Sequence, residues 1–255
     1  MRKNFRIGGS WQKVAPWYSR ITQGGQGHYY HQHLVIPGVL KLMDLKPDSK
    51  VLDLACGNGV LARSLSTRVE YYGIDTAPSL VKEAQRADRN PLHKYLIADV
   101  TKPLAIPNDF THAAVILALQ NIQNSQKVLG NASKYLIKNG VLVIVLNHPA
   151  FRIPRQSSWE IDEGRKIQYR RIDKYMGPMQ IPINMNPSDK HSAVTISYHF
   201  PISAYSKMLK DAGFAIDVIE EWTSDKESEG RAARMENRSR SEFPLFLAIK
   251  AFKKS

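Results

Sequence analysis

The sequence predicts an α/β domain built on a mostly parallel sheet, and three observations support that fold class. Residues 51–59 read Val-Leu-Asp-Leu-Ala-Cys-Gly-Asn-Gly, an apolar run that ends at a glycine-rich turn. Further short apolar runs alternate with segments of helical periodicity, which is typical of strands joined by helices. Two apolar runs close the sequence in succession, so we expect an antiparallel strand near one edge of the sheet.

Each element follows from the local pattern and from turn residues. Apolar runs predict strands at residues 50–54, 69–75, 94–98, 112–118, 140–146, 215–222 and 244–252. Helical spacing predicts helices at residues 11–22, 28–43, 59–67, 79–87, 123–137 and 202–212. The second helix should bend near Pro37 and Gly38, and Lys138-Asn139-Gly140 should form a helix stop and turn.

Two segments depart from this alternation. Residues 148–200 lie where a connection of about two to six residues is usual. They contain β-prone runs at 166–175 and 193–200 around a proline-rich piece at 178–187, which we interpret as a lid or small β insertion. Residues 224–242 are almost wholly polar and predict a solvated, partly mobile loop.

Length and composition predict a single domain with a substantial core. The chain has 255 residues, of which 43% are hydrophobic. We expect a helical cap at 1–48, a core at 49–147 and 201–255, and a lid at 148–200. No apolar run is long enough for a membrane span or secretory signal, and the lone Cys56 cannot form an internal disulfide, so a cytoplasmic location is expected.

Acidic residues close the first three predicted strands. Gly57 and Gly59 permit a tight turn and close approach of a ligand, and Asp53 beside them favours an amine-bearing ligand over a pyrophosphate. Asp75 follows Asp53 by 22 residues, a spacing that suits the two hydroxyls of a ribose. After the third strand, the Asp99 carboxylate suits an exocyclic amine, and the next amide suits a ring nitrogen. Amine, ribose and adenine in that order indicate S-adenosylmethionine rather than NAD.

With these motifs, residues from about 18 to 147 and from about 202 to 253 resemble the class I S-adenosylmethionine-dependent methyltransferases. The resemblance implies a Rossmann-like, seven-stranded, mostly parallel sheet with an antiparallel strand, an inserted lid after the fifth strand, and S-adenosyl-L-homocysteine as product. Ala55 stands where the family usually has its first glycine. The resemblance implies cofactor contacts from Asp53, Ala55, Gly57, Asn58, Gly59, Asp75, Thr76, Asp99, Val100, Leu117 and Tyr30.

Catalytic candidates are fewer. An oxygen or amine nucleophile needs its proton removed, and His148 directly follows the fifth predicted strand, at the edge that opens on the ligand crevice. The alternative is that His148 holds the Pro149 turn by a hydrogen bond. Gln120, after the fourth strand, is a candidate for orienting the acceptor. Tyr29 is a candidate for contacting the acceptor.

Aromatic and basic side chains outside the glycine loop have two interpretations each. Tyr29, Tyr30 and His33 lie on the helix before the first strand, where they either reach the ligands or pack. Residues 147–159 resemble a bacterial branch of these enzymes whose substrates are unassigned. There Arg152 and Arg155 either bind an anion or pair with lid acids at 160, 162 and 163. His199, Arg170 and Arg171 are further candidates on the insertion.

Charge is concentrated at the amino terminus. The net charge is +13, and residues 1–50 carry eight Lys or Arg against two acids, a net of +6. A basic rim would attract an anionic acceptor or RNA; alternatively, it serves solubility.

The sequence therefore predicts a metal-independent methyltransferase that acts on oxygen or nitrogen of a small or medium organic acceptor. An RNA methyltransferase and a catalytically silent binding protein are the alternatives. The fourth strand is not followed by an Asn/Asp-Pro-Pro-aromatic motif or by a carboxylate that could join Asn147 around a divalent cation, and no zinc-like spacing occurs. The loop also lacks the third glycine of the NAD fingerprint.

Overall fold

The structure, a computed structural model, describes residues 10–23, 29–184 and 193–254. Its main sheet has seven strands in the order β10-β11-β5-β4-β1-β2-β3. These strands are β1 (Lys50–Leu54), β2 (Glu70–Asp75), β3 (His93–Ile97), β4 (Phe110–Ile116), β5 (Leu136–Asn147), β10 (Phe214–Trp222) and β11 (Phe246–Lys253). All seven predicted strands are present, within a few residues of the expected bounds.

Helices cover both faces of this sheet. The α-helices of the described residues are α1 (Ser10–Gln23), α2 (Ile36–Met43), α3 (Pro78–Ala87), α4 (Ser125–Tyr135), α5 (Ile202–Asp211) and α6 (Ala233–Glu242). α2 packs on one face of the sheet, and α4 and α5 pack on the other. Val51, Leu52 and Leu54 of β1 are completely buried because apolar clusters pack against the sheet from either side. A strand buried on both faces is uniformly apolar, and Asp53 is therefore the exception that marks the site.

The sheet is parallel except at one side. β1 pairs in parallel with β2 and β4, and β4 pairs in parallel with β5. β11 lies between β5 and β10 and is antiparallel to both, which confirms the mostly parallel sheet with an antiparallel strand. The chain order reverses between β1 and β4, and a ligand crevice forms at the carboxyl ends of strands at such a point.

The insertion consists of two hairpins. One pairs β6 (Ser157–Asp162) with β7 (Ile167–Ile172), and the other pairs β8 (Met179–Asn184) with β9 (Val194–His199). The two β-prone runs correspond to β7 and β9. Their partners were missed because β6 is mainly polar and β8 contains Pro182, a residue that is tolerated in edge strands.

The helix predicted over residues 59–67 is wrong. Only a single 3₁₀ turn, Ala62–Ser64, forms there, and Leu65 after it is extended. Leu61 and Ala62 are nevertheless buried in the second apolar cluster. The helical spacing therefore predicted correctly which residues are buried. No regular helix forms because Gly59 adopts a φ of 75° and the chain is extended again at Leu65.

The loop predicted over residues 224–242 is also wrong in its second half, where α6 forms. Its polar face is supported by pairs one turn apart, Arg238 with Glu242 at 3.0 Å and Arg240 with Glu236 at 4.0 Å. Ser239 is buried and its hydroxyl donates to the Gln168 carbonyl of β7 at 3.1 Å. α6 is thus a helix whose docking partner is the lid, which local composition does not reveal.

Two predicted irregularities occur in modified form. A π-helical turn, His31–Val35, precedes α2, so the helix is irregular before Pro37; the predicted start at His28 lies outside the described residues. β5 begins four residues earlier than predicted, and its pairing with β4 slips where Asn139 adopts a φ of 61°. The expected turn at 138–140 is therefore a bulge within the strand.

Candidate active site

The glycine loop turns sharply as β1 ends. Ala55, Gly57 and Gly59 have positive φ values of 69°, 55° and 75°. The Ala55 and Cys56 amides both donate to the Ile74 carbonyl, at 2.8 and 3.0 Å, so the loop is fastened to β2. Ala55 occupies a left-handed conformation that costs a non-glycine residue about 1–2 kcal/mol.

Asp75 connects the end of β2 to this loop. Its Oδ2 accepts from the Gly57 amide at 2.9 Å, and its Oδ1 accepts from the Ala77 amide at 2.9 Å. The carboxylate is buried, which raises its pKa, while these backbone donors oppose that rise. A carboxylate has about four lone-pair positions, so its oxygens retain capacity for ribose hydroxyls. The side chain of Thr76, next in the chain, is exposed.

Asp53 is the most buried acid of the site, with 2% of its surface exposed. Its Oδ2 accepts a hydrogen bond from the Tyr71 hydroxyl at 2.7 Å. Burial raises the pKa of Asp53 to about 7; the Tyr71 hydrogen bond lowers that pKa and the charge of Asp75 raises it. A buried carboxylate with a single neutral donor is poorly compensated, and an ammonium group is the ligand that would compensate it.

Asp99 lies at the same edge of the sheet. Asp75 pairs with Ile97, so Asp99 comes two residues past the matching end of β3. Its Oδ1 accepts hydrogen bonds from the Thr101 amide at 2.9 Å and from the Thr101 hydroxyl at 2.7 Å. The side chain is partly exposed, and its Oδ2 lies 3.9 Å from Lys102 Nζ. Val100 beside it is buried. The three strand-end acids therefore lie at the same edge of the sheet, on three neighbouring strands.

Leu117 and Gln120 lie after the neighbouring strand β4. Leu117 has a φ of 51°, and its carbonyl accepts from the side-chain amides of Gln120 at 3.0 Å and Asn121 at 3.2 Å. That carbonyl is thus already engaged. The Oε1 of Gln120 is buried without a hydrogen-bond partner among the described residues, an arrangement that is costly unless a ligand donor completes it. The Oε1 of Gln120 therefore fits a donor such as the amino group of S-adenosylmethionine.

Helix α1 covers the glycine loop. A Cβ at Gly57 would lie 3.5 Å from the ring of Tyr18, which is ordinary van der Waals contact, so this helix lies directly against the loop. The φ of 55° at Gly57 is what favours glycine at this position. The Gln12 side chain accepts from the amide and hydroxyl of Ser79, both at 3.2 Å, and Ser19 donates to Glu83. Sequence reasoning predicted this helix but missed Tyr18.

The signal for Tyr18 was present. Trp11, Ala15 and Tyr18 recur at helical spacing and pack against Ala77 and Leu80 of the segment that follows β2. Asn58 extends the same junction, because its Nδ2 donates to Glu83 Oε1 at 3.0 Å. The described residues of α1 therefore form one wall of the predicted cofactor pocket.

His148 is buried, and both of its ring nitrogens are engaged within the chain. Nε2 lies 2.6 Å from Glu221 Oε1, while Nδ1 accepts from the amides of Ala150 at 3.2 Å and Phe151 at 3.3 Å. Burial lowers the pKa of His148, and Glu221 opposes that change. This geometry matches the turn-holding alternative, and the role of general base stays a prediction.

The aromatic residues before α2 pack against the segment after β10. The Tyr30 hydroxyl lies 2.9 Å from Ser224 Oγ, and the Tyr29 hydroxyl donates to Asp225 at 3.1 Å. Tyr29 stacks on His33 with ring centroids 4.4 Å apart. The packing alternative therefore describes their contacts in this structure.

The basic candidates lie on the lid side of β5. Arg152 reaches solvent, yet desolvation by the protein around it lowers its pKa; Arg155 has a φ of 61°. Arg170 donates to the Phe151 carbonyl and to Ser157 Oγ, both at 2.8 Å.

Of the two interpretations of Arg152 and Arg155, the pairing with lid acids is not found among the ion pairs of the described residues. Arg171 lies 3.6 Å from Glu160, and Arg165 lies 3.8 Å from Asp162. These arginines, which are closer along the hairpin, occupy the acids instead.

His199 is held inside the second hairpin. Its Nε2 lies 2.7 Å from the Tyr175 carbonyl, and the side chain is buried. β9 contacts both α1 and the turn that carries Gln120, so this hairpin, rather than the imidazole itself, approaches the site. In the described part of the chain, no three His, Cys, Asp or Glu side chains cluster as metal ligands, and no helix is long and apolar enough to span a membrane.

Comparison with known proteins identifies the class. Residues 52–144 match the model of a methyltransferase domain. The chain is 27% identical over 147 residues to a 2-phytyl-1,4-naphtoquinone methyltransferase of Thermosynechococcus vestitus, covering 54% of this chain and 63% of that protein. A protein of the same name from Trichormus variabilis is 25% identical over 215 residues, covering 75% and 91%.

A solved structure supports the same fold. An S-adenosylmethionine-dependent methyltransferase from Mesorhizobium loti has a TM-score of 0.68 and 22% identity, covering 87% of this chain and 99% of that one. Residues 52–144 thus correspond to a methyltransferase domain, and the fold predicted from the resemblance to the class I S-adenosylmethionine-dependent methyltransferases is confirmed.

Proposed function

We propose that this protein transfers the methyl group of S-adenosylmethionine to oxygen or nitrogen of a small or medium organic acceptor. The observation that carries the proposal is the convergence of Asp53, Asp75 and Asp99 at the carboxyl ends of three adjacent parallel strands. Because a catalytically silent scaffold of this fold has no need for a buried acid with a single neutral hydrogen-bond donor, Asp53 in particular favours a cofactor that carries an ammonium group.

The residues supply orientation and exclusion of water. The bound cofactor supplies a methyl group on a sulfonium, which is open to in-line displacement. Asp53 and Gln120 would hold its amino end and Asp75 its ribose, while α1 and the β8–β9 hairpin shield the pocket. Holding two reactants in line removes much of the entropic barrier, so this arrangement acts mainly by alignment.

The acceptor class rests on two supports. The named relatives act on a naphthoquinone, an organic molecule of the proposed size. Arg152, on the lid side of β5, reaches solvent, and the protein around its guanidinium group partly desolvates that charge. Such a guanidinium would suit an anionic group on the acceptor. The net charge of +13 favours RNA as the second candidate, because phosphate backbones bind basic surfaces.

The test is transfer of labelled methyl from S-adenosylmethionine by the purified protein in cell extract, followed by separation of low-mass, protein and RNA fractions. Asp53→Asn is the loss-of-function variant. Asp211→Asn is its matched control, because Asp211 is an exposed acid paired with Lys207 at 2.8 Å.

Label in the low-mass fraction that Asp53→Asn abolishes and Asp211→Asn retains is the expected result. Label confined to RNA would replace the small acceptor with the second candidate. Absence of label in every fraction, together with absence of cofactor binding, would contradict the enzyme assignment.

A further inference from the structure

Tyr71 reaches from β2 to the acid of β1. Its hydroxyl donates to Asp53 Oδ2 at 2.7 Å, and both side chains are almost wholly buried, with 0% and 2% exposed. In the sheet, Asp53 pairs with Gly73 rather than with Tyr71. The tyrosine ring therefore extends along β2 for the length of two residues before it meets the carboxylate.

Gly73 provides the space for this ring. A Cβ at Gly73 would lie 2.8 Å from Tyr71 Cε1, 2.9 Å from its hydroxyl and 2.9 Å from Cys56 Sγ. Such separations do not occur between a real Cβ and its neighbours, so a side chain here would displace the ring or the thiol. Gly73 thus leaves the space in which the Tyr71 ring can reach Asp53.

The ring is supported from β3. The rings of His93 and Tyr95 lie 5.2 and 5.5 Å from that of Tyr71. Both supporting residues are fixed by Asp88, whose Oδ2 lies 2.6 Å from His93 Nδ1 and accepts from the Tyr95 hydroxyl at 2.6 Å. Tyr71 is therefore held in one position, and its hydroxyl is directed at a single acceptor.

We propose that Tyr71 is a positioning residue that fixes the Asp53 carboxylate and keeps it ionised for the amino group of the cofactor. This inference rests on the proposed function, because the amino group belongs to S-adenosylmethionine. Tyr71 acts through Asp53 alone and does not touch the reacting methyl group.

The electrostatic surroundings make ionisation of Asp53 depend on this hydrogen bond. Burial and the charge of Asp75 raise the pKa of Asp53 to about 7, and the Tyr71 hydrogen bond lowers it. The other titratable groups that face this acid are Cys56 in the loop, Tyr18 on α1 and Tyr95 on β3, and burial raises the pKa of each, so they stay neutral. Among the described residues, Tyr71 alone therefore favours the charged form.

The experiment is calorimetric titration of S-adenosylmethionine into the purified protein between pH 5.5 and 9. Tyr71→Phe removes the hydroxyl and keeps the ring. Tyr72→Phe is the matched control, since Tyr72 is the next residue of β2 and its hydroxyl accepts from Lys94 at 2.9 Å instead. Loss of the ligand's own proton above about pH 8 affects every variant equally.

After correction for the protonated fraction of the ligand's own amino group, we expect wild-type affinity to fall about tenfold between pH 8 and pH 6, because each pH unit below the pKa reduces the ionised fraction of Asp53 about tenfold. Tyr71→Phe should move the midpoint up by about one pH unit, so that its affinity is about tenfold weaker than wild type at pH 6 and similar near pH 9. Tyr72→Phe should follow the wild-type profile. Gly73→Ala, which crowds the ring, should shift the midpoint in the same direction as Tyr71→Phe.

Other outcomes would contradict the role of Tyr71 or the proposed function itself. A wild-type midpoint in Tyr71→Phe, or a weakening that is equal at every pH, would overturn the role of Tyr71 while leaving the proposed function intact. If the pH midpoint shifted equally in Tyr72→Phe, the loss of any tyrosine hydroxyl from β2 would be enough to cause the shift, and Tyr71 would have no specific role. Absence of binding by the wild type at every pH would instead overturn the proposed function.

Discussion

Replacing Asp53 with asparagine should make the protein more stable while it abolishes cofactor binding. The side chain is 2% exposed and accepts its hydrogen bond from Tyr71, which the asparagine carbonyl can still accept. The change therefore removes a buried negative charge and keeps the shape and the hydrogen bond. Residues that bind ligands commonly reduce the stability of the free protein.

The magnitude follows from the pKa. Asp53 titrates at about 7 in the folded protein and at about 3.9 in the unfolded chain. Below about pH 4 the carboxyl is protonated in both states. Between about pH 4 and 7 the unfolded chain releases this proton and the folded chain keeps it, so wild-type stability falls as the pH rises, by about 1.4 kcal/mol per unit. Above pH 7 the loss reaches about 4 kcal/mol and stays constant.

The assay is denaturant unfolding of wild type and Asp53→Asn at pH 5, 6, 7 and 8. The stability advantage of the variant should grow from about 1.5 kcal/mol at pH 5 to about 4 kcal/mol at pH 8. Asp211→Asn, on the surface, should differ from wild type by less than about 0.5 kcal/mol at every pH. An advantage of Asp53→Asn that does not change with pH would refute the assignment of a raised pKa to this acid.

Four further predictions concern single sites. Ala55→Gly should stabilise the fold by about 0.5–1 kcal/mol in denaturant unfolding, because it relieves the φ of 69°; equal or lower stability would show that the loop is unstrained. His148→Asn should cost about 1–3 kcal/mol, since two amides and Glu221 lose a buried partner, and unaltered turnover would remove His148 as a base. Gly38→Ala should destabilise by about 1–3 kcal/mol, because its Cβ would lie 2.5 Å from the Trp222 ring. Gly130→Ala, a helical position with no atom within 4 Å of its Cβ, should stabilise by about 0.5–1 kcal/mol, and a loss at Gly130 would show that helix glycines here are limited by backbone rather than by space.

The sequence was sufficient to predict a candidate site residue wherever that residue interrupts a local pattern. Asp53 and Asp75 each interrupt an apolar strand at its end, and parallel strands necessarily bring such ends together. Tyr18 and Tyr71 were missed because an aromatic residue at core spacing has the same pattern whether it packs or holds a functional group. Only the distance of 2.7 Å to Asp53 separates those roles for Tyr71.

The errors have a common physical origin in long-range packing. The segment after Gly59 has helical spacing, but it buries its apolar residues against the sheet through a short 3₁₀ turn and forms no regular helix. α6 has the composition of a loop, but it gains a surface to dock on from β7, about 70 residues earlier in the sequence, through Ser239. Neither outcome can be predicted from a window of neighbouring residues, because the partner that decides it lies far away in sequence.

Helix α1 has a consequence for the kinetics of the enzyme. This helix, which lies beside Gly57, is held by apolar packing on Ala77 and Leu80 and by polar contacts that include Gln12 with Ser79 and Ser19 with Glu83. If methyl transfer takes place beneath this helix, spent cofactor leaves and fresh cofactor enters when the helix moves aside. Many enzymes with such coverings are limited by the release of product rather than by chemistry. The residues that hold α1 would then set the rate of turnover without contacting either reactant.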